Sequence, residues 1–277
     1  MTPSQYPLIM MKRIFKIACL IITIFFVAQL QAQVKKQPVK KPPTITPAKK
    51  PAKKTAKKPA PKPAKVVADT VAKEEFTRVK ISTNAGDMVL RLYNKTPQHR
   101  DNFIKLVKEH FYDSLLFHRV ISQFMIQGGD PKSKASTVGE MLGMGDVGYT
   151  IPAELDSALY HKRGALCAAR TDNPEKASSG CQFYIVHGRK ISEGELNNIE
   201  QQSGTKYSPA QRMTYKMNGG TPFLDTNYTV FGEVESGMEV VDAIAAAPVD
   251  NFKRPVNDIR MRMEILLPTE EKHETKK

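Results

Sequence analysis

An arginine, an amide and two apolar residues lie close together in residues 117–131, which read FHRVISQFMIQGGDP. Arg119 precedes the pair Phe124 and Met125, and Gln127 follows the pair. No nucleophile with its base and no cluster of metal ligands accompanies them. A permanently charged donor, an amide and an apolar pair suit a reaction in which no covalent bond is made or broken. We therefore expect neither a cofactor nor a metal.

This segment resembles the signature of the cyclophilins, the peptidyl-prolyl cis-trans isomerases. Further segments carry the resemblance in the order that the family shows: GYTIPAEL (148–155), GALCAART (164–171), SGCQFYIV (179–186) and FLDTNYTVFGEV (223–234). Together they extend the resemblance over residues 77–266. It implies an enzyme whose partners are proline-containing polypeptides.

The chemistry that the resemblance implies is rotation about an X-Pro peptide bond. Resonance gives a peptide bond a barrier of about 18–20 kcal/mol, and uncatalysed X-Pro exchange takes tens to hundreds of seconds. A catalyst needs only to bind the twisted bond more tightly than either planar isomer. A donor aimed at the proline nitrogen does so, because that nitrogen regains its lone pair only when the bond is twisted. Arginine suits this donor role, glutamine can fix the carbonyl, and Phe and Met can hold the ring.

Carried over position by position, the resemblance implies a role for eleven residues. Arg119 would be the catalytic donor, and Gln127 would hold the substrate carbonyl. The other predicted substrate-binding residues are His118, Phe124, Met125, Ala169, Gln182, Tyr184, Phe223, Leu224 and Tyr228. Ala169 and Gln182 would bind the residues that precede the proline. The family usually has Phe at position 184, and many members have Trp at 223 and His at 228.

Structural interpretations of the same residues remain open without the resemblance. Arg119 could be a solvated residue at a strand edge, and Phe124, Met125 and Phe183 have the spacing of core residues. The histidines show no metal-ligand spacing. Structural roles are therefore expected for His99, His110, His161 and His187.

Short strands and a few helices must position these residues. Val79 and Ile81 alternate with polar neighbours, which is typical of a half-buried strand. Thr96 followed by Pro97 predicts the start of a helix, and a second helix is predicted around residues 240–244. We predict a mainly β fold: a closed eight-stranded antiparallel barrel of the cyclophilin type, capped by two helices.

A helical insertion is predicted at 189–220, between two strands of the barrel. Ser192 with Glu195 and Ser208 with Gln211 have the spacing of capping boxes, and each pair predicts the start of a helix. Both ends of the insertion border the predicted proline pocket. Its helices could form one wall of the substrate groove, or the insertion could be a surface ornament.

The first 75 residues are expected to lie outside the folded domain. Lys12, Arg13 and Lys16 precede an uncharged apolar stretch, so residues 1–32 are interpreted as a signal peptide, with a retained membrane anchor as the alternative. Residues 33–75 are a Lys/Pro/Ala-rich linker, expected to be disordered. The cyclophilin-like domain is predicted at 76–267. A charged tail follows at 268–277.

The excess of basic residues lies in the first 65 residues of the chain. Fifteen of the 42 basic residues precede residue 66 and all 28 acidic residues follow it, so the remainder has a net charge of −1. The linker could contact an anionic envelope surface, and no nucleic acid is expected. We expect an exported, periplasmic monomer in which Cys167 and Cys181 are free thiols.

Three functional hypotheses follow from these features. The first is a peptidyl-prolyl isomerase that assists the folding of exported proteins. The second is a non-catalytic proline-binding or chaperone module, tethered by the basic tail. The third is an interaction protein whose functional part is the basic segment at 33–65. Arg119 and Gln127 favour the first hypothesis, because binding alone requires only the pocket.

Overall fold

The structure is a computed structural model, and it describes residues 76–267. The predicted signal peptide (1–32), linker (33–75) and charged tail (268–277) lie outside the described residues.

Eight strands form one antiparallel sheet in the order β10-β1-β2-β9-β6-β8-β4-β3. A second, two-stranded sheet pairs β5 with β7. The bounds of the ten strands are β1 Arg78–Thr83, β2 Gly86–Leu92, β3 Phe117–Ile121, β4 Met125–Gly128, β5 Thr150–Ile151, β6 Ala165–Ala168, β7 Ser178–Ser179, β8 Phe183–Val186, β9 Val230–Ser236 and β10 Met261–Leu266. The prediction of a mainly β, eight-stranded antiparallel fold is confirmed.

The sheet curls until its two edge strands approach each other. An isolated bridge joins Leu116 to Arg260, just before β3 and β10 begin. Beside it, the N–H of Phe117 donates to the carbonyl oxygen of Ile259 at 2.9 Å, and the N–H of Met261 donates to that of Leu115 at 2.9 Å. The predicted barrel is thus observed as a curled sheet with a local contact between its edges, rather than as a continuous ladder.

Two helices pack against this sheet, as predicted. Helix α1 (Pro97–Lys108) buries Phe103, Leu106 and Val107 and packs against β9 and β10. Proline stands at its first position, where the missing N–H costs nothing. The Thr96 side chain makes no capping hydrogen bond. Helix α4 (Met238–Ala245) buries an apolar face against β2, β3 and β4. Burial of these two faces, together with one face of the sheet, produces the main core.

The insertion predicted at 189–220 contains the two helices that its capping boxes indicate. Helix α2 spans Glu193–Ser203 and helix α3 spans Pro209–Met217. At both N-termini the serine hydroxyl accepts from a backbone N–H, and the third helical residue accepts from the serine N–H. The helices share a small core of their own, formed by Ile191, Leu196, Tyr207 and Tyr215.

Cys167 and Cys181 are both buried and free, as expected. Within residues 76–267, no helix is long and apolar enough to cross a membrane. The same residues contain no group of three or more His, Cys, Asp or Glu side chains that could hold a metal ion.

Candidate functional site

Three neighbouring strands place the predicted catalytic residues side by side. In the ladder of β3 with β4, Arg119 pairs with Gln127, and in that of β4 with β8, Gln127 pairs with Tyr184. Directly paired residues project from the same face of an antiparallel sheet. The eight-residue spacing of Arg119 and Gln127 is therefore the consequence of a hairpin whose turn lies at 122–124.

This face of the sheet is opposite to the main core. In β8, Phe183 and Ile185 belong to the main core, whereas Tyr184 and Val186 belong to a second apolar cluster. In β4, Ile126 belongs to the main core and Met125 to the second apolar cluster. Side chains alternate between the faces of a strand, so one continuous apolar run supplies both the core and the base of the site.

A chain of hydrogen bonds fixes the polar side of the site. A guanidinium N–H of Arg119 donates to Gln127 Oε1 at 3.1 Å, and Gln127 Nε2 donates to Gln182 Oε1 at 3.1 Å. Gln182 Nε2 then donates to the carbonyl oxygens of Gly145 at 2.6 Å and Gly143 at 3.1 Å. Each amide therefore has one defined orientation, and Arg119 is held in place before any substrate arrives.

Arg119 is charged and only partly hydrated. Burial lowers the pKa of its guanidinium from the ordinary value, but arginine retains its charge in proteins. Its other contacts are weak: Met125 Sδ lies 4.0 Å from Nη1, and the Phe124 ring centroid lies 5.9 Å from Cζ. Within the described residues, Gln127 is its only oxygen acceptor, so further N–H groups are available to a ligand.

A pocket opens beside this arginine. It has an empty volume of about 390 Å³. Eight of the eleven predicted site residues line it, together with Arg170: Arg119, Phe124, Met125, Gln127, Ala169, Tyr184, Leu224 and Tyr228. Its walls are thus mainly apolar and aromatic, with two charged groups and one amide, the composition expected of a ligand site.

The other three predicted substrate-binding residues lie outside the lining. Phe223 is exposed and stacks on Phe124 with ring centroids 5.7 Å apart, so it extends the rim. Gln182 lines a neighbouring depression. His118 is only 3 % exposed; it lies where the register of β3 shifts between Phe117 and Arg119, and it does not line the pocket.

The neighbouring depression is larger, with an empty volume of about 1100 Å³. It shares Gln127, Ala169 and Arg170 with the pocket, and the loop around Gly143 and Tyr149 borders it. The two concavities are therefore continuous at their shared residues.

The backbone of Ala169 is largely committed to the fold. Its N–H donates to the carbonyl oxygen of Gln182 at 2.9 Å, and its own carbonyl accepts from the N–H of Ser179 at 2.8 Å. The predicted backbone contact between Ala169 and a substrate is therefore restricted to the second lone pair of that carbonyl.

Arg170 is a pocket residue that the sequence analysis missed, although it lies in the segment GALCAART. Its guanidinium lies 4.7 Å from the ring centroid of Tyr228, and its Nε donates to the carbonyl oxygen of Asn227 at 3.0 Å. Among the described residues, its backbone N–H and carbonyl have no hydrogen-bond partner. Adjacency to Ala169 was the one sequence signal that could have indicated it.

Comparison with known proteins assigns the family. The model of the cyclophilin type peptidyl-prolyl cis-trans isomerases matches residues 78–264. The chain belongs to this family of isomerases.

Curated relatives agree with this assignment. The chain is 38 % identical over 185 residues to a Streptococcus pyogenes protein named as a candidate bifunctional phosphatase/peptidyl-prolyl cis-trans isomerase. That alignment covers 66 % of this chain and 37 % of the relative, so the chain spans little more than a third of its length. It is also 34 % identical over 183 residues to a candidate peptidyl-prolyl cis-trans isomerase of Staphylococcus haemolyticus, with 66 % of this chain and 87 % of the relative covered.

Solved structures show the same fold. A Cryptosporidium parvum cyclophilin type peptidyl-prolyl cis-trans isomerase superposes with a TM-score of 0.51 at 24 % identity. The match covers 70 % of this chain and 99 % of that protein. A second structure of the same protein, determined in the presence of the dipeptide Ala-Pro, matches with a TM-score of 0.50 at 24 % identity.

Proposed function

We propose that this protein accelerates the cis-trans isomerisation of X-Pro bonds during the folding of exported proteins. The observation that carries the catalytic part is the hydrogen bond of 3.1 Å between Arg119 and Gln127, at the edge of an apolar pocket. Its substrates would be proline-containing polypeptides, and a related cyclophilin has been crystallised in the presence of Ala-Pro.

The geometry supports a mechanism without covalent steps. The proline ring enters the pocket between Phe124, Met125 and Tyr184, and this places the proline nitrogen near Arg119. When the bond twists, the nitrogen regains its lone pair and accepts from a guanidinium N–H. Partial burial reduces the competition from water for this hydrogen bond, so the twisted state gains more than the planar ones. The second N–H of Gln127 Nε2 is the donor for the substrate carbonyl.

The alternative is a non-catalytic proline-binding or chaperone module on the same fold. Such a module needs the apolar walls but not an oriented charge. The charge of Arg119 is oriented by its hydrogen bond to Gln127, which is itself held by Gln182, and this favours catalysis.

The experiment that separates the two functions uses the full chain and a short X-Pro peptide in large excess. Catalysis predicts that the exchange rate of the peptide rises in proportion to the protein concentration, with many turnovers per molecule. A parallel assay follows the refolding of a protein limited by proline isomerisation. A module that only binds would suppress aggregation in that assay without accelerating either process, and this result would contradict the proposal.

The cellular part of the proposal rests on the beginning of the sequence. Lys12, Arg13 and Lys16 precede an apolar stretch, and twelve lysines without an acid follow at 35–65. These features support export to the periplasm and electrostatic contact between the linker and an anionic envelope surface. We also propose that the protein acts as a monomer without nucleic acid.

A further inference from the structure

The ring of Tyr184 lines the pocket, but its hydroxyl points to a buried histidine. Tyr184 Oη lies 2.9 Å from Nε2 of His161. His161 is fully buried and does not belong to the pocket lining. The hydroxyl that distinguishes Tyr184 from the usual Phe therefore connects the pocket wall to the interior.

His161 is in turn held by an aspartate. Its Nδ1 lies 2.7 Å from Asp225 Oδ1, and its backbone N–H donates to the same oxygen at 2.8 Å. The second oxygen, Oδ2, accepts from the hydroxyl of Tyr215 at 2.5 Å. Tyr215 belongs to helix α3 of the insertion and is fully buried.

Every polar side-chain group of this chain has a partner in the structure. In the tautomer whose Nδ1–H donates to Asp225, Nε2 of His161 accepts from the hydroxyl of Tyr184. Tyr215 donates to the remaining carboxylate oxygen. A buried chain in which each donor has an acceptor is rigid, because loss of any bond leaves a polar group unpaired in a medium of low dielectric.

The same aspartate is close in sequence to two other residues that line the pocket. Asp225 directly follows Leu224, and Tyr228 lies three residues further along the chain. The ring of His161 stacks on that of Tyr184 at an interplanar angle of 14°, and Tyr228 meets both rings edge-on, at 82° and 85°. The buried pair of His161 and Asp225 is therefore connected to three pocket residues, by hydrogen bonding, ring contact or chain adjacency: Tyr184, Leu224 and Tyr228.

We propose that Tyr215, Asp225 and His161 are positioning residues that fix this aromatic wall, and that the insertion acts on the pocket through them. No residue of 189–220 lines the pocket, so within the described structure the helices do not form its wall. Their effect is transmitted by the hydrogen-bonded chain that ends at Tyr184. This inference rests on the proposed function of the pocket as the site of the proline ring.

The test removes one hydroxyl at a time from the full chain. Tyr215→Phe keeps the ring that packs against Tyr160 and Tyr207 but loses the bond to Asp225. Tyr160→Phe is the matched control, because its hydroxyl bonds Thr214 Oγ1 at 3.2 Å within the same aromatic cluster. We expect Tyr215→Phe to raise KM for a short X-Pro peptide about threefold with kcat nearly unchanged, and Tyr160→Phe to change neither.

A double variant distinguishes a positioning role of Tyr215 from general destabilisation of the protein. Tyr184→Phe removes the hydroxyl that joins the hydrogen-bonded chain to the pocket. Adding Tyr215→Phe to this variant should therefore no longer raise KM. An equal effect of Tyr215→Phe in both backgrounds, or an effect no larger than that of the control, would overturn the inference.

A spectroscopic measurement on the wild-type chain does not depend on turnover or on the folding of a variant. With 15N-labelled histidine, titration with an X-Pro peptide should shift the Nε2 resonance of His161. The resonances of His99 should stay in place, because this buried ring bonds Glu154 and Ser178 away from the pocket. If the peptide binds and His161 does not respond, the inference is wrong. If the peptide binds without being isomerised, the proposed function fails independently.

Discussion

His118 is a buried imidazole beside the arginine of the site. Both of its ring nitrogens are buried without a hydrogen-bond partner among the described residues. Burial lowers its pKa to about 4, and the charges of Arg119 and Arg254 act in the same direction, against Asp130. The ring is therefore neutral in the folded protein at pH 7, and it lowers the stability of the fold at acidic pH.

The prediction for His118 concerns stability against pH. In the unfolded chain its pKa is about 6.5, so between pH 6.5 and 4 the unfolded state binds more protons than the folded state. Stability is therefore lost as pH falls through this window, and this one group should cost about 2 kcal/mol between pH 7 and pH 5.

Urea unfolding of wild type and His118→Leu at both pH values measures this term. The variant should lose about 2 kcal/mol less than wild type over the interval, whatever its stability at pH 7. An identical loss in the two proteins would show that His118 is not buried in its neutral form.

At the residue scale, the sequence predicted the class of reaction more completely than it predicted which side chains are in contact. The hairpin spacing already indicates that Arg119 and Gln127 are paired. The burial of His118 could not be predicted from alternation along the strand, because the register of β3 shifts between Phe117 and Arg119. Arg170 could not be found in this way, because its contribution lies in free backbone groups and in a contact with Tyr228 that only the fold creates.

The insertion shows which elements a sequence specifies locally. Ser192 and Ser208 each begin a helix through a capping box, which depends on residues three positions apart. The helix positions were therefore predictable. The attachment of Tyr215 to Asp225 was not, since it joins two segments whose approach depends on tertiary packing.

The capping prediction belongs to this scale. The Ser192 hydroxyl accepts from the N–H of Glu195 at 3.3 Å, and the Glu195 carboxylate accepts from the N–H of Ser192 at 3.0 Å. Ser192→Ala should lower the free energy of unfolding by about 1 kcal/mol, because the helix loses its cap. Gln202→Ala, an exposed change in the same helix, should leave stability nearly unchanged. Thermal unfolding that does not distinguish these two variants would contradict the role of the cap.

The whole chain combines a nearly neutral domain with a strongly basic beginning. The residues after 65 have a net charge of −1, whereas 1–65 contain fifteen basic residues and no acid. We propose that the domain performs catalysis and that the N-terminal segment directs the protein to its location.

Processing of the N-terminus is the prediction at the scale of the whole molecule. If residues 1–32 are a signal peptide, the mature protein should begin at Gln33 and be recovered from the periplasmic fraction. Mass spectrometry of the protein from cells measures the first residue directly. Replacing Lys12, Arg13 and Lys16 by glutamine should retain the uncleaved chain in the cytoplasm. A mature protein that still contains residues 1–32 would instead support a retained anchor.

The central claim is that the guanidinium of Arg119 catalyses isomerisation, and the direct measurement is kcat/KM of Arg119→Ala on a short X-Pro peptide. The value should fall about tenfold or more, a loss of at least ~1.4 kcal/mol of transition-state stabilisation. Arg78→Ala is the control, because Arg78 of strand β1 forms an exposed ion pair with Glu235 and does not line the pocket. Its activity should match wild type. A folded Arg119→Ala variant that is as active as wild type would contradict the account.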